Sequence, residues 1–185
     1  MEIIKVTQTE WIGEATKYIQ GGLHKIAYVV VDSPVAIVHR KSQVDEETCT
    51  ELGYEIVESY NNAGTIVSNA GDILIGHFAQ PENGWYDSFI AYFLDWLKAK
   101  GLNAVYESND ILVDGYKVCG MCITRYGRID YTGGIISMNV NLGHIKQICK
   151  KPMKKTPKGL SEYDITTEEV EQMFLDFCEQ RYKNT

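Results

Sequence analysis

An α+β domain, with a mixed and largely antiparallel sheet packed against helices, is the fold class this sequence predicts. Three observations carry it: a rapid succession of short β-prone runs between residues 27 and 78, a hairpin signal at Asp114-Gly115, and two amphipathic helical stretches, one central and one near the end. With 185 residues and 44% hydrophobic content, the chain has material for one well-buried core and too little length for two ordinary ones. Residues 1–185 are read as a single domain, with no repeat, low-complexity tract or linker to divide them.

Taken in order, Trp11, Ile12, Ala15 and Ile19 fall at helical spacing, and Gly21-Gly22 supplies a stop. Strand-like runs follow at Ala27 to Val31, Val35 to His39, Tyr54 to Glu58, Thr65 to Ser68 and Asp72 to Phe78, with a short helix expected at Asp45 to Leu52. From Asp87 or Ser88 to Lys100, the residues Phe89, Ile90, Phe93, Leu94 and Leu97 form an apolar stripe, widened by Tyr92 and Trp96 and ended by Gly101. Ile111 to Val113 and Tyr116 to Ile123 flank Asp114-Gly115 as the arms of a two-residue hairpin. Ile129 to Val140 continues the sheet, with Gly133-Gly134 marking a bulge or a close approach. The last helix opens on Thr166 and Glu169 at capping-box spacing and carries Val170, Met173, Phe174, Phe177 and Cys178 on one face.

Composition excludes several functions. A net charge of −7 disfavours a general nucleic-acid binder, which needs a basic face to neutralise phosphates. No apolar run is long enough to cross a bilayer, and Met1 to Lys5 lacks the order of a secretory signal. Five cysteines, Cys49, Cys119, Cys122, Cys149 and Cys178, are odd in number and uneven in spacing, which argues for reduced thiols and a cytoplasmic address. Cys119 and Cys122 form a C-x-x-C, but on a continuous strand they point to opposite faces, and no second pair offers metal-ligand spacing. His24, His39, His77 and His144 are scattered, so no metal site is expected and the histidines read as structural or surface residues, His77 alone lying near the expected loop. Lys150, Lys151, Lys154, Lys155 and Lys158 concentrate positive charge between Pro152 and Pro157; the run reads first as a solvated loop and second as a steering patch for an acidic partner.

Lys117 stands out because it follows the hairpin turn directly. Strict alternation places it on one strand face with Cys119 and Met121, leaving Val118, Gly120 and Cys122 on the other. A lone lysine there would ordinarily be solvent-facing. The order of surrounding segments changes that reading. Asn109-Asp110, an apolar strand, a turn, Lys117, then Cys119 and Gly120 resemble the catalytic domain shared by lipoate-protein ligases, octanoyltransferases and biotin-protein ligases, lipoate-protein ligase being nearest. Val29 to Arg40 resembles the family's strand, turn and strand ending in Gly-Arg. Tyr131-Thr132-Gly133-Gly134 stands where the family has His-His-Gly, Met138 to Leu142 resembles its next segment, and Lys158-Gly159-Leu160-Ser161 has a counterpart in the ligases. The resemblance covers nearly the whole chain and implies a biotin/lipoate ligase-like fold.

What it implies chemically is an acyl-adenylate site. Ligases of this family join a carboxylic acid (lipoate, octanoate or biotin) to ATP with Mg²⁺, then pass the acyl group to a lysine of a carrier protein, here an acidic domain. Lys117 would contact the acyl carbonyl and the α-phosphate, with Asn109, Asp110, Cys119 and Gly120 beside it. The phosphate cradle would come from Asn61, Asn62, Ala63, Gly64 and Thr65. Departures are specific: Glu58 and Ser59 stand at an arginine pair, Asn62 and Ala63 at glycines, and Ser68 at a histidine. A carboxylate replacing a guanidinium reverses an interaction of roughly 4 kcal/mol for unit charges about 4 Å apart at an effective dielectric of about 20, if it points into the site.

Two alternatives stay open. Octanoyltransferases of this fold use no ATP and pair the lysine with a cysteine about thirty residues later; Cys149 lies 32 residues after Lys117 and is the candidate nucleophile, although it also fits an apolar helix position. A non-catalytic binding module of the same fold would explain the depleted cradle.

Overall fold

The structure, a computed structural model, describes residues 2–11, 25–59, 64–79 and 84–182. Its strands are β1 (Glu2–Lys5), β2 (Lys25–Val30), β3 (Val35–Val38), β4 (Glu55–Glu58), β5 (Ile66–Ser68), β6 (Ile73–Ala79), β7 (Ala104–Glu107), β8 (Asp110–Val113), β9 (Tyr116–Tyr126) and β10 (Ile129–Ile136). Its helices are α1 (Glu46–Glu51), α2 (Trp85–Ala99), α3 (Leu142–Ile148) and α4 (Thr167–Tyr182). Seven strands form one sheet in the order β1-β2-β6-β10-β9-β8-β7, antiparallel except for the β1–β2 pair, and β4-β3-β5 form a second sheet with one parallel pair. The mixed, largely antiparallel α+β architecture read from the sequence is the architecture found. Among the described residues, no helix is long and apolar enough to cross a membrane.

Period-two burial on the strands divides this architecture into layers. One face of the large sheet presents Ile26, Tyr28, Ile73, Ile75 and Ile136 to the apolar stripes of α2 and α4, where Phe89, Phe93, Phe174 and Phe177 fill the space between. The opposite face presents Val29, Leu74 and Ile135, and these pack with Val35 and Val57 of the small sheet. Beyond the small sheet, Ala36 and Val38 pack with Cys49 of α1 and Ile148 of α3. The large sheet therefore has one face on the helices and the other toward the small sheet.

Helix α2 begins at Trp85, two residues before the earliest start its stripe suggests, and Trp85 adds the largest fully buried side chain of the main core. Helix α4 keeps its expected face, with all five apolar positions buried, and Thr166 and Glu169 exchange the two hydrogen bonds of a capping box. Strand β10 stops at Ile136, short of the expected Val140. The reason is Asp72: its buried carboxylate accepts from the backbone N–H groups of Met138 and Asn139 at 2.6 and 3.0 Å, and from Ser68 Oγ and Asn69 N, so these amides are withdrawn from a ladder. The first expected helix lies mostly outside the described residues; residues 8–11 are helical.

Candidate acyl-binding site around Lys117

Two hairpins build the site. Ser108 and Asn109 both have positive φ, at 52° and 68°, and turn β7 into β8; Asp114 and Gly115, at 51° and 84°, turn β8 into β9. Positive φ at both central residues is the twist-compatible turn of a tight hairpin, which Asp-Gly and Asn favour. Strict alternation then fails at one place. Leu112 pairs with Lys117 but Ile111 pairs with Cys119, so Val118 is the extra residue of a β-bulge. The bulge reverses the faces expected for this strand. Lys117 shares its face with Asp110, Leu112 and Gly120, whereas Cys119 and Met121 turn into the main core beside α2 and α4.

Cys119 is accordingly a correction. It is fully buried among apolar side chains, and that burial pushes its thiol up to about 12 even though Lys117 draws it down. It packs the core and does not line the lysine's face. Gly120 takes that place: a Cβ added there would lie 2.8 Å from Lys117 Nζ and 2.9 Å from its Cε, so the lysine lies flat over the glycine. Any larger residue would displace the ammonium.

The ammonium is held from a second side. Lys117 Nζ lies 2.7 Å from Asp110 Oδ1, and Lys155 Nζ lies 3.4 Å from Asp110 Oδ2. Lys155 is anchored by donating to Glu107 O at 2.6 Å, and it pairs with the Glu107 carboxylate at 3.4 Å. Its segment docks along β9: Lys117 N donates to Thr156 O and Lys158 N donates to Lys117 O, each at 2.9 Å. Lys158 in turn sits 4.0 Å from the Tyr163 ring centroid. The basic run is thus only partly the solvated loop it resembles; Lys155 and Lys158 are docked, and Lys150, Lys151 and Lys154 are exposed. The two ammonium groups are matched by two carboxylates, Asp110 and the more exposed Glu107, so what the cluster offers an incoming carboxylate, phosphate or oxyanion is the donor hydrogens of Lys117 that Asp110 does not take. Lys155 escapes sequence reasoning because its partner Asp110 is far away along the chain.

The remaining candidates are placed as follows. Asn109 holds the turn, its side-chain oxygen accepting from the hydroxyls of Tyr86 at 3.1 Å and Tyr106 at 3.2 Å, which directs it away from the lysine. Asn61, Asn62 and Ala63 lie outside the described residues. Gly64, at φ 110°, and Thr65 lead into β5, whose Ile66 packs in the cluster of Ile135, the β10 partner of Gly120. Glu58 answers the concern about a misplaced carboxylate. On β4 it alternates with inward-facing Val57, is exposed, and accepts from Lys41 N at 3.2 Å, so it points away from the large sheet. Cys149 caps α3 and bridges to Val44 on the far side of the small sheet, and burial raises its thiol. The structure does not bring it to Lys117. Cys119 and Cys122 do face opposite sides, and His77 is buried against Trp85 with its ring centroid 4.9 Å away. Among the described residues, no cluster of three or more His, Cys, Asp or Glu has the arrangement of a metal site.

The sequence profile of the lipoyl protein ligase A/B catalytic domain matches residues 10–177. The chain belongs to that family. Solved structures agree in fold at low identity. P. falciparum LipL1 in complex with lipoate superposes with a TM-score of 0.80 at 14% identity, over 99% of this chain and 62% of that one. A bi-partite lipoate protein ligase from Thermoplasma acidophilum, studied with its E2 lipoyl domain, gives 0.77 at 12% identity over 97% and 82%. Lipoate-protein ligase A bound with ATP gives 0.77 at 13% over 97% and 83%. No curated protein matches by sequence comparison. The matched span takes in Lys117, Asp110 and Gly120.

Proposed function

We propose that this chain binds a carboxylic acid or its adenylate with the acyl carbonyl beside Lys117, and that it transfers the acyl group to a lysine of a carrier domain. The observation that carries this reading is the Lys117 ammonium lying flat over Gly120, 2.7 Å from Asp110, on the sheet face that the small sheet partly covers. In the activating step a carboxylate oxygen attacks the α-phosphorus of ATP and pyrophosphate departs. In the second step the neutral amine of the carrier lysine attacks the acyl carbon, AMP leaves, and the nitrogen gives up one proton to solvent as the amide forms. Lys117 neutralises the charge that develops on the acyl and phosphoryl oxygens in both, and Asp110 fixes its direction. Lys155 is the second cation placed to hold a phosphate, and Mg²⁺ would be carried by the nucleotide phosphates, as it commonly is. Exposed Lys150, Lys151 and Lys154 lead into the docked segment and would steer an acidic carrier toward it. The T. acidophilum ligase studied with its E2 lipoyl domain supports a carrier of that kind.

A second reading has its own support. Glu58 and Ser59 replace the family's arginines, and with Glu58 turned outward nothing at that position supplies the lost positive charge. Under it, the chain holds an acid or adenylate without making one. ATP–pyrophosphate exchange separates the two. Exchange that depends on an added carboxylic acid is expected for the ligase; acid binding without exchange for any acid would leave only the binding module.

A further inference from the structure

Beside Lys117 the large sheet carries a band of small residues. On the same face, Ala27 of β2 pairs with Gly76 of β6, Gly76 with Gly133 of β10, and Gly133 with Cys122 of β9. Gly120 lies two residues before Cys122 and shares its face, so the band runs on to the lysine. Adjacent glycines on neighbouring strands make a trough where something can approach the backbone closely. What approaches here is aromatic. A Cβ on Gly133 would fall on the phenol of Tyr131, and one on Gly76 would meet Tyr131 Cε2 at 3.1 Å and Trp11 Cη2 at 2.8 Å. The Tyr131 ring is held there by Phe78, with ring centroids 4.9 Å apart. Its hydroxyl lies over Gly133, and it therefore points along β10 toward the row that holds Ile135 and Gly120.

We propose that Tyr131 sets the length of the acyl chain this site accepts, restricting it to short carboxylic acids. This rests on the reading that the carboxyl group sits beside Lys117. From there a chain running along the band meets the Tyr131 phenol after one diagonal step of the sheet, about 7 Å. Butyrate fits that step. Octanoate and lipoate must lift the phenol out of the trough and away from Phe78. A smaller residue at position 131 extends the trough across Gly133 to Gly76, where Trp11 becomes its end wall. The hydroxyl and the ring both cover Gly133, and the ring also reaches Gly76, so removing the hydroxyl alone leaves most of the trough filled.

The test is calorimetric titration of the full chain with butyrate, hexanoate, octanoate and lipoate, for the wild type, Tyr131→Phe and Tyr131→Ala. The wild type and Tyr131→Phe should bind butyrate more tightly than octanoate or lipoate by about tenfold or more, the discrimination a closed apolar pocket achieves over a few methylenes. Tyr131→Ala should gain octanoate and lipoate binding by a similar factor. Wild type that binds octanoate or lipoate as tightly as butyrate overturns the length rule whatever the variants do. So does a Tyr131→Ala protein that still binds butyrate yet gains no affinity for longer acids. If no acid binds to any form, the acyl-site reading itself fails and the length rule falls with it. Should Tyr131→Ala melt early, Tyr131→Leu makes the same comparison with more of the packing retained.

Discussion

Lys117→Met should reduce acid-dependent pyrophosphate exchange by about a hundredfold or more, the usual cost of removing one preorganised group that faces developing charge. The fold should survive. Lys117 is only half-buried, and its pair with Asp110 sits at the protein surface, where such pairs contribute about 1 kcal/mol or less. The methionine keeps the apolar stem over Gly120, so the loss is one of charge. Asp110 would then retain only Lys155 at 3.4 Å, and its carboxylate would repel an incoming acid. Lys117→Arg should not restore the rate, because a planar guanidinium cannot occupy the same point above Gly120. Steady-state exchange kinetics and a thermal melt of each variant check the two halves of the expectation.

Trp85→Ala should have the largest effect on stability. Trp85 is 1% exposed, with its ring centroid 5.3 Å from Phe89, 5.5 Å from Phe177 and 4.9 Å from His77. It joins the start of α2 to α4 and to the buried side of β6. Truncation removes a large apolar surface and leaves a cavity between elements that cannot collapse together, at a cost of about 3–5 kcal/mol. For a chain of this size that corresponds to a fall in the melting midpoint of about 6–20 °C. Calorimetry reads it directly. A shift of a degree or two would show that the core does not depend on this ring.

These two residues were not equally legible in the sequence. Lys117 was placed by its Asp-Gly turn, a local signal, and the α4 stripe was legible for the same reason: periodicity is written in neighbouring residues. The bulge at Val118 was not, because Val118 and Cys119 are both β-prone and apolar. Which of them is skipped depends on the core packing of Cys119 and on the docking of residues 156–158 along β9. That one-residue shift exchanged Cys119 for Gly120 as the lysine's neighbour. Strands β1 and β7 went unread since both are edge strands with mostly exposed side chains, Val105 and Tyr106 among them, which weakens the alternation that marks a half-buried strand. From sequence, Gly133-Gly134 marks either a bulge or a close approach. It is the latter, with Tyr131 over one glycine and Met121 over the other, and β10 pairs without interruption on both sides. Trp85 was missed because α2 starts from Gly84 in a left-handed conformation with no capping side chain to announce it.

A crystal structure of the chain with a non-hydrolysable butyryl-adenylate analogue tests the acyl site at Lys117 most directly. The acyl carbonyl oxygen is expected about 3 Å from Lys117 Nζ, with the chain over Gly120 and its end at the Tyr131 phenol. An acyl group bound elsewhere, with Lys117 still paired to Asp110 and untouched by the ligand, would contradict it.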